Sequence, residues 1–332
     1  MKKLMAILLS AVMVLSLAAC GSSPNPSSTE AQSGAVSTTE GQGKTVRTDL
    51  KVGIITLNMS AQYWLDVVAG LKSVIEPAYG TVTHYSSEND VQRAVEEIED
   101  MITKKFDYIV VTCVDKQGLY PALVQAKEAG IPVIIYDKTT DDVDLVLTQI
   151  QTNDYEIGYA MAEMMAEKLG KKGKVMSVNT PSVSVMGRNQ GFKECIEKYP
   201  DMELVQGEAA NALSETTLPV VEALIQANPD VKGWLGISET QSMGAISAIE
   251  GANLLDQITI IDISASATSL SFIREGKQEV TFDQLAYEQG VMIGESVLKN
   301  EAGQEVEKYY SVPWYAITKD NVDEYEAMIA AR

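Results

Sequence analysis

The stretch Phe106–Lys138, FDYIVVTCVDKQGLYPALVQAKEAGIPVIIYDK, decides the fold. Tyr108–Thr112 and Pro132–Tyr136 are almost wholly apolar, and Leu119–Ala129 between them has helical periodicity. Strands buried on both faces read this way in parallel sheets, where helices cover each side. A strand, a helix and a second such strand make one crossover unit of that architecture.

The same alternation continues in both directions. Short apolar runs lie at Lys51–Thr56, Leu145–Ile150, Val175–Val178, Leu204–Gln206, Gly233–Ile237, Ile258–Ile263 and Val280–Asp283. Helical periodicity fills Gln62–Ile75, Val91–Ile102 and Tyr155–Leu169; in the second of these, Val91, Ala94, Val95, Ile98 and Ile102 step by three and four along one face. The alternation runs twice, with a seam at Thr152-Asn153-Asp154, so the expectation is an α/β protein of two doubly wound, Rossmann-like lobes.

Before the first strand the chain changes character. Lys2 and Lys3 precede an apolar run from Leu4 to Ser16, followed by Leu17-Ala18-Ala19-Cys20. A basic start, a short apolar core and small residues mark a secretory signal, here 1–19, and the run is too short to span a bilayer as a mature helix. Leu17–Cys20 resembles the bacterial lipobox, which implies cleavage before Cys20 and a diacylglycerol on its sulfur; the alternative is an ordinary signal with an incidental cysteine. Residues 20–48 read as a flexible linker: 16 of the 27 residues at 21–47 are Ser, Thr, Gly or Pro, too little apolar surface to offset ordering.

The net charge is −20, and without Lys2 and Lys3 it is −22, from 24 basic against 46 acidic residues. Such a field argues against nucleic acid or an anionic lipid surface as partner. Cys113 at a strand end and Cys195 in a helix read as buried free thiols. His84 is the single histidine, so no histidine-based metal site or triad is available. GxSxG, GxxxxGK[ST] and HExxH are all missing, and Thr56-Leu57-Asn58-Met59 after the first strand lacks the glycines that let a pyrophosphate approach. The expectation is a protein without catalytic residues, metal or cofactor.

In open α/β sheets ligands bind outside the carboxyl ends of the strands. That rule selects Asn58, Tyr63 and Trp64 after the first run, Asp115 after Tyr108–Thr112 and Asp137 after Pro132–Tyr136. In the second unit it selects Arg188, Ser238 and Ser264, with Glu239, Thr240 and Ser266 nearby. Carboxylates and a guanidinium pair with hydroxyls in fixed directions, and aromatic faces cover the C–H side of a sugar. Each has a plainer reading as well. Asp137 fits a loop cap, Trp64 fits a core residue, and Glu239 suits a helix N-terminus on dipole grounds. Arg188 is read at a helix start, where a cation is out of place and a ligand role explains it. Trp234, Trp314, Met161, Met164 and Met165 read as packing.

These residues resemble the type I periplasmic sugar-binding proteins, the ribose and galactose binders. Val52-Gly53-Ile54-Ile55 with Gln62-Tyr63-Trp64 and Gly70 is similar to their first strand and helix. Ala129–Ile134 with Asp137, Asn153-Asp154 with Gly158, Arg188-Asn189-Gln190-Gly191-Phe192, Asn228-Pro229-Asp230 and Gln284 follow in the family's order. The resemblance covers about residues 49–312. It implies lobes of 49–152 plus 285–312 and 153–284 plus 313–332, joined by a three-strand hinge near Asn153, Asp283–Gln284 and Val312–Trp314. It also implies Tyr63 and Trp64 stacking on a ligand that Asp137, Arg188 and Gln284 hydrogen-bond.

Two positions depart: the family's Asn-Asp reads Ser238-Glu239, and its following Asp reads Ser264. The autoinducer-2 and rhamnose branch tolerates such changes, and Gly118–Leu123 is similar to it. Serine is short, so the expected ligand has fewer hydroxyls toward the second lobe than glucose: a pentose, a deoxy sugar or a furanosyl signal. The implied function is capture of a sugar-like small molecule by hinge closure and delivery to the permease of an ABC importer, from a membrane-anchored, extracytoplasmic position. The alternative is a sensor subunit docking on a chemoreceptor or sensor kinase.

Overall fold

The apolar runs become strands in two sheets. The computed structural model describes residues 47 and 49–332, apart from 60, 79, 181, 182 and the side chains of 183–185. The expected signal, Cys20 and all of the linker but its last residues lie outside the described residues. Among the described residues no helix is long and apolar enough to cross a membrane, and no cluster of His, Cys, Asp and Glu is arranged to hold a metal.

The first sheet is built from β1 (Lys51–Thr56), β2 (Thr81–Ser86), β3 (Tyr108–Thr112), β4 (Val133–Tyr136), β5 (Thr148–Thr152) and β11 (Tyr309–Val312), in the order β11-β5-β4-β3-β1-β2. Every pairing in it is parallel. The central strands β3 and β4 are buried at every residue, as expected of strands covered on both faces. Helices α1 (Gln62–Ile75) and α9 (Ala286–Glu301) cover one face, where Val67, Leu71, Ile293 and Val297 pack on Ile54, Val110 and Ile134. Helices α2 (Val91–Thr103) and α3 (Lys116–Glu128) cover the other, with Ile98, Leu119 and Leu123 on Ile109, Val111 and Ile135.

The second sheet repeats the plan with β6 (Lys172–Asn179), β7 (Asp201–Glu208), β8 (Val231–Leu235), β9 (Thr259–Ile263), β10 (Val280–Asp283) and β12 (Tyr315–Thr318), ordered β12-β10-β9-β8-β6-β7. Only β12 runs antiparallel to its neighbour, β10. Helices α4 (Asp154–Lys168) and α5 (Val183–Ile196) lie on one face, α6 (Ser214–Ala227) and α7 (Glu239–Gly251) on the other. Two further helices, α8 (Ala267–Glu275) and α10 (Val322–Ala330), pack on each other beside β12. Two α/β lobes of the same strand order therefore face each other, and the chain passes between their sheets at 153, 284–285 and 313–314.

One helix pair in each lobe meets backbone to backbone. A Cβ on Gly290 of α9 would lie 2.0 Å from the Val67 carbonyl oxygen of α1, and one on Gly158 of α4 would lie 2.3 Å from the Arg188 carbonyl oxygen of α5. Only glycine permits these approaches. The second fixes the height of Arg188 one turn above Asp154.

Several boundaries differ from the sequence reading. The strand expected at Leu145–Ile150 begins at Thr148, because Val143–Leu145 is a turn of 3₁₀ helix. Arg188 does not start a helix: α5 begins at Val183, so the dipole penalty does not apply to it. Cys113 and Cys195 are buried free thiols, and burial pushes both up to about 11.

Candidate functional site

A cavity of about 430 Å³ opens just past the carboxyl ends of β1, β8, β9 and β10. Lobe 1 lines it with Ala61, Gln62, Tyr63, Asp66 and Ala286; lobe 2 lines it with Arg188, Ser238, Glu239, Thr240 and Ser264 to Ser266; Asp283 and Gln284 lie where the chain crosses. Tyr325 and Arg332 border it from the C-terminal segment.

Arg188 is 7 % exposed. Its Nε donates to Asp154 Oδ1 at 2.8 Å and its Nη1 to the Ile237 carbonyl at 2.6 Å, while Nη2 has no hydrogen bond among the described residues. The guanidinium is thus oriented by two fixed acceptors and keeps one edge for a ligand, the fork geometry that suits vicinal hydroxyls. Burial pushes the Asp154 carboxyl up, and Arg188 pulls it back.

Asp137 follows β4 with φ of +60°. Its amide donates to the Ile150 carbonyl at 3.0 Å, and its Oδ1 lies 3.2 Å from the Tyr63 hydroxyl. Burial pushes its carboxyl up to about 6; the Asp154 carboxylate adds to the rise, and Lys138, Arg188 and Tyr63 hold it down. Ala265 (φ +57°) and Leu285 (φ +51°) share the left-handed conformation beside the cavity. Each such residue costs on the order of 1–3 kcal/mol, and such strain clusters where ligands are clamped.

The serines are occupied as well as available. Ser238 caps α7, its Oγ accepting from the Gln241 amide at 3.4 Å, and Ser264 Oγ accepts from the Ser266 amide at 3.1 Å. A hydroxyl accepting in a cap still carries a proton to donate. The Gln284 carbonyl accepts from Thr152 Oγ1 at 3.3 Å, tying the second crossover to the end of β5.

The structure therefore gathers Tyr63, Arg188, Ser238, Ser264 and Gln284 in the lining of one cleft, sets Asp137 outside the lining but 3.2 Å from the Tyr63 hydroxyl, and leaves three further expected residues out of the lining. Trp64 is 8 % exposed and belongs to the core of lobe 1, edge-on to Tyr63 and Tyr136 with centroids 4.8 and 6.1 Å away. It supports Tyr63 from behind instead of stacking on a ligand. Asp115 N-caps α3, its Oδ1 accepting from the Gly118 amide at 2.6 Å. Asn58 Oδ1 accepts from the Ala61 amide at 2.8 Å and shapes the approach to α1.

Residues that the sequence reading did not single out complete the site. Asp154 holds Arg188. Gln289, fully buried on α9, accepts the Tyr63 hydroxyl at 2.7 Å and donates to the Ile150 carbonyl at 3.2 Å. Tyr325 donates to Asp283 at 2.8 Å. Arg332, over the Tyr287 ring at 5.2 Å, holds both oxygens of Glu288. For Asp154 the Asn-Asp at the seam was an available signal; Gln289 sits mid-helix with none.

A family profile, "Periplasmic binding protein domain", matches residues 52–305. The D-apiose import binding protein of Actinobacillus succinogenes is 25 % identical over 262 residues, covering 72 % of this chain and 84 % of that protein. The ribose import binding protein of Bacillus subtilis is 22 % identical over 267 residues, 80 % of this chain and 86 % of that one. Among solved structures, an ABC transporter periplasmic solute binding protein from Actinobacillus succinogenes with bound D-allose superposes with a TM-score of 0.78 at 26 % identity, over 83 % of this chain and all of that one.

Proposed function

The chain belongs to the periplasmic binding protein domain family, and from that premise we propose that it captures a sugar or sugar-like small molecule between its lobes and delivers it to an ABC importer. The observation that carries this reading is a single cavity to which lobe 1 brings Tyr63, beside Asp137, and lobe 2 brings a guanidinium already aimed by Asp154. A ligand bridging Asp137 and Arg188 ties the lobes together. Closure then proceeds about the crossovers at 153, 284–285 and 313–314, and excludes water from the polar contacts.

Arg188 supplies directional charge-assisted bonds, and Asp137 supplies directional hydrogen bonds through its carboxyl. Tyr63 covers a ring face, and Gln284, Ser238 and Ser264 take remaining hydroxyls. Because Ser238 also caps α7 and Ser264 also accepts from the Ser266 amide, lobe 2 satisfies few hydroxyls beyond those Arg188 reaches, which favours a pentose, a deoxy sugar or a furanosyl ligand. Relatives named for apiose and ribose import, and a solved relative with bound D-allose, support a sugar as the ligand. The family's members act outside the cytoplasm, and Leu17–Cys20 supports a lipid anchor on Cys20 with the segment up to residue 48 as tether.

Calorimetric titration with glucose, galactose, ribose, rhamnose and autoinducer-2 tests the reading, with small-angle scattering at saturation. Tight binding of a pentose, deoxy sugar or furanosyl ligand with a reduced radius of gyration is expected. Tightest binding to glucose or galactose overturns the ligand class, and binding without compaction overturns the closure. Cys20→Ala should move the protein from the membrane to the soluble fraction; an unchanged membrane fraction removes the anchor.

A further inference from the structure

Four residues at the floor of the cleft form a closed circuit. The Asp137 amide and Gln289 Nε2 both donate to the Ile150 carbonyl, at 3.0 and 3.2 Å. Gln289 Oε1 is 2.7 Å from the Tyr63 hydroxyl, and that hydroxyl is 3.2 Å from Asp137 Oδ1. A phenol has one proton to donate and here has two acceptors. Turning the Gln289 amide over does not relieve the conflict. It sets Oε1 against the Ile150 carbonyl oxygen inside a fully buried environment, where an unsatisfied oxygen is costly. The Tyr63 proton therefore belongs to Gln289, the shorter contact, and the phenol oxygen presents a lone pair to Asp137.

Resting on the sugar-binding reading above, we propose that Asp137 works as a neutral carboxylic acid in the assembled cleft, donating its own proton to Tyr63, and that closure on a ligand takes up a proton from solvent near neutral pH. Gln289 is the positioning residue that imposes this state. The groups around Asp137 agree. Its own loop brings Lys138, α1 brings Tyr63, β4 brings Tyr136, and lobe 2 brings Asp154 and Arg188. The last two are paired with each other at 2.8 Å, so the guanidinium is already partly neutralised when it faces Asp137. Burial, and after it the Asp154 carboxylate, hold the Asp137 carboxyl at about 6 before a ligand arrives, and a ligand that seals the cleft from water raises it further. A neutral acid still offers its second oxygen to a ligand hydroxyl.

The test has two independent arms on the full chain. In the ligand-free protein, carbon-13 NMR follows the Asp137 carboxyl, assigned by its loss in Asp137→Asn. Titration near pH 6, moving toward the ordinary range in Gln289→Leu, is the expected result; titration about pH 4 in the wild type overturns the proposal. In the second arm D-ribose, D-allose and D-apiose are titrated at pH 7 in buffers of different ionisation heat. Uptake of a fraction of a proton is expected for whichever sugar binds. Asp137→Asn, which removes the titrating group, should abolish the uptake. Sugar binding with no proton taken up by the wild type, or the same uptake in Asp137→Asn, overturns it while leaving sugar capture intact. If none of the three sugars binds, sugar capture itself is in question, and the ligand-free arm decides the protonation state.

Discussion

The two lobes share a strand order and a glycine-mediated helix pair, yet they arm the cleft by opposite means. Lobe 1 uses long side chains locked in the circuit of Tyr63, Gln289, Ile150 and Asp137. Lobe 2 uses one guanidinium paired with Asp154, and short serine hydroxyls of which that of Ser238 doubles as a helix cap. The scaffold is duplicated and the chemistry is not. In both lobes the helix pair holds groups of the cleft and their partners: α1 and α9 carry Tyr63 and Gln289, and α4 and α5 carry Asp154 and Arg188.

The largest effect should come from breaking those pairs. Gly158→Val or Gly290→Val drives a branched side chain into the facing backbone and should destabilise the fold by about 4 kcal/mol or more, measured by denaturant unfolding. Gly251→Ala in α7, where nothing lies within 4 Å of the new Cβ, should be neutral or stabilising. Equal stability in all three variants would remove close helix packing as the common basis of the lobes.

Next in size are the ligand groups. Asp137→Ala and Arg188→Ala should each weaken ligand binding by roughly 2–4 kcal/mol in calorimetry. The lobes should differ in stability, because Arg188→Ala also leaves the half-buried Asp154 carboxylate unpaired. An Arg188→Ala protein as stable as the wild type would show Asp154 to be indifferent to its partner.

Each lobe also holds a carboxyl pushed up to about 6: Asp137 at the cleft and Asp262 inside the second sheet. Asp262 is 1 % exposed and accepts from Gln278 Nε2 at 2.5 Å. Burial raises it, and bonds from Thr281, Ser242 and Gln278 hold it down. The folded state binds this proton more tightly than the unfolded chain does. Its stabilising contribution is therefore complete below about pH 4 and lost as pH rises to about 6, a change of up to roughly 3 kcal/mol. Denaturant midpoints of wild type and Asp262→Asn should diverge across that window and run parallel above pH 7. Parallel curves throughout would place the Asp262 proton outside the folding equilibrium.

The smallest effect separates a cap from a ligand group. Asp115→Ala should cost about 1 kcal/mol of stability through the lost α3 cap and leave ligand affinity unchanged. A loss of affinity without a loss of stability would return Asp115 to the site.

The fold was legible where burial is symmetrical. Strands such as Tyr108–Thr112 are apolar on both faces, so composition alone marks them. Thr81–Ser86, TVTHYS, was not read as a strand, because an edge strand with half-exposed faces carries Thr, His and Tyr in place of an apolar run. The short edge strands β11 and β12 escaped as strands for the same reason. At the site, the strand-end rule selected Tyr63, Asp137, Arg188, Ser238 and Ser264 from position alone, and the family resemblance added Gln284. It could not divide Tyr63 from Trp64, since consecutive helical residues point about 100° apart and only the packing decides which meets the cleft. Asp154 and Gln289 were beyond it: Asp154 meets Arg188 34 residues later through helix packing, and Gln289 meets Tyr63 226 residues away.

The three passages between the sheets set an order of assembly. Helix α1 lies against α9, and β5 lies against β11, so lobe 1 contains partners from opposite ends of the described chain. As a chain lengthens from its N-terminus, the first lobe to begin cannot be finished until most of the second has been made. Its α1 face and its β5 edge wait uncovered until residues 286–312 arrive. By then most of lobe 2 is already available, needing only β12 and α10. Long-range closures of this kind slow folding. An unpaired strand edge is also a natural place for a holding partner to bind. A chain interrupted after residue 285 should therefore expose that edge, and a separately supplied 286–332 segment is the piece that would cover it.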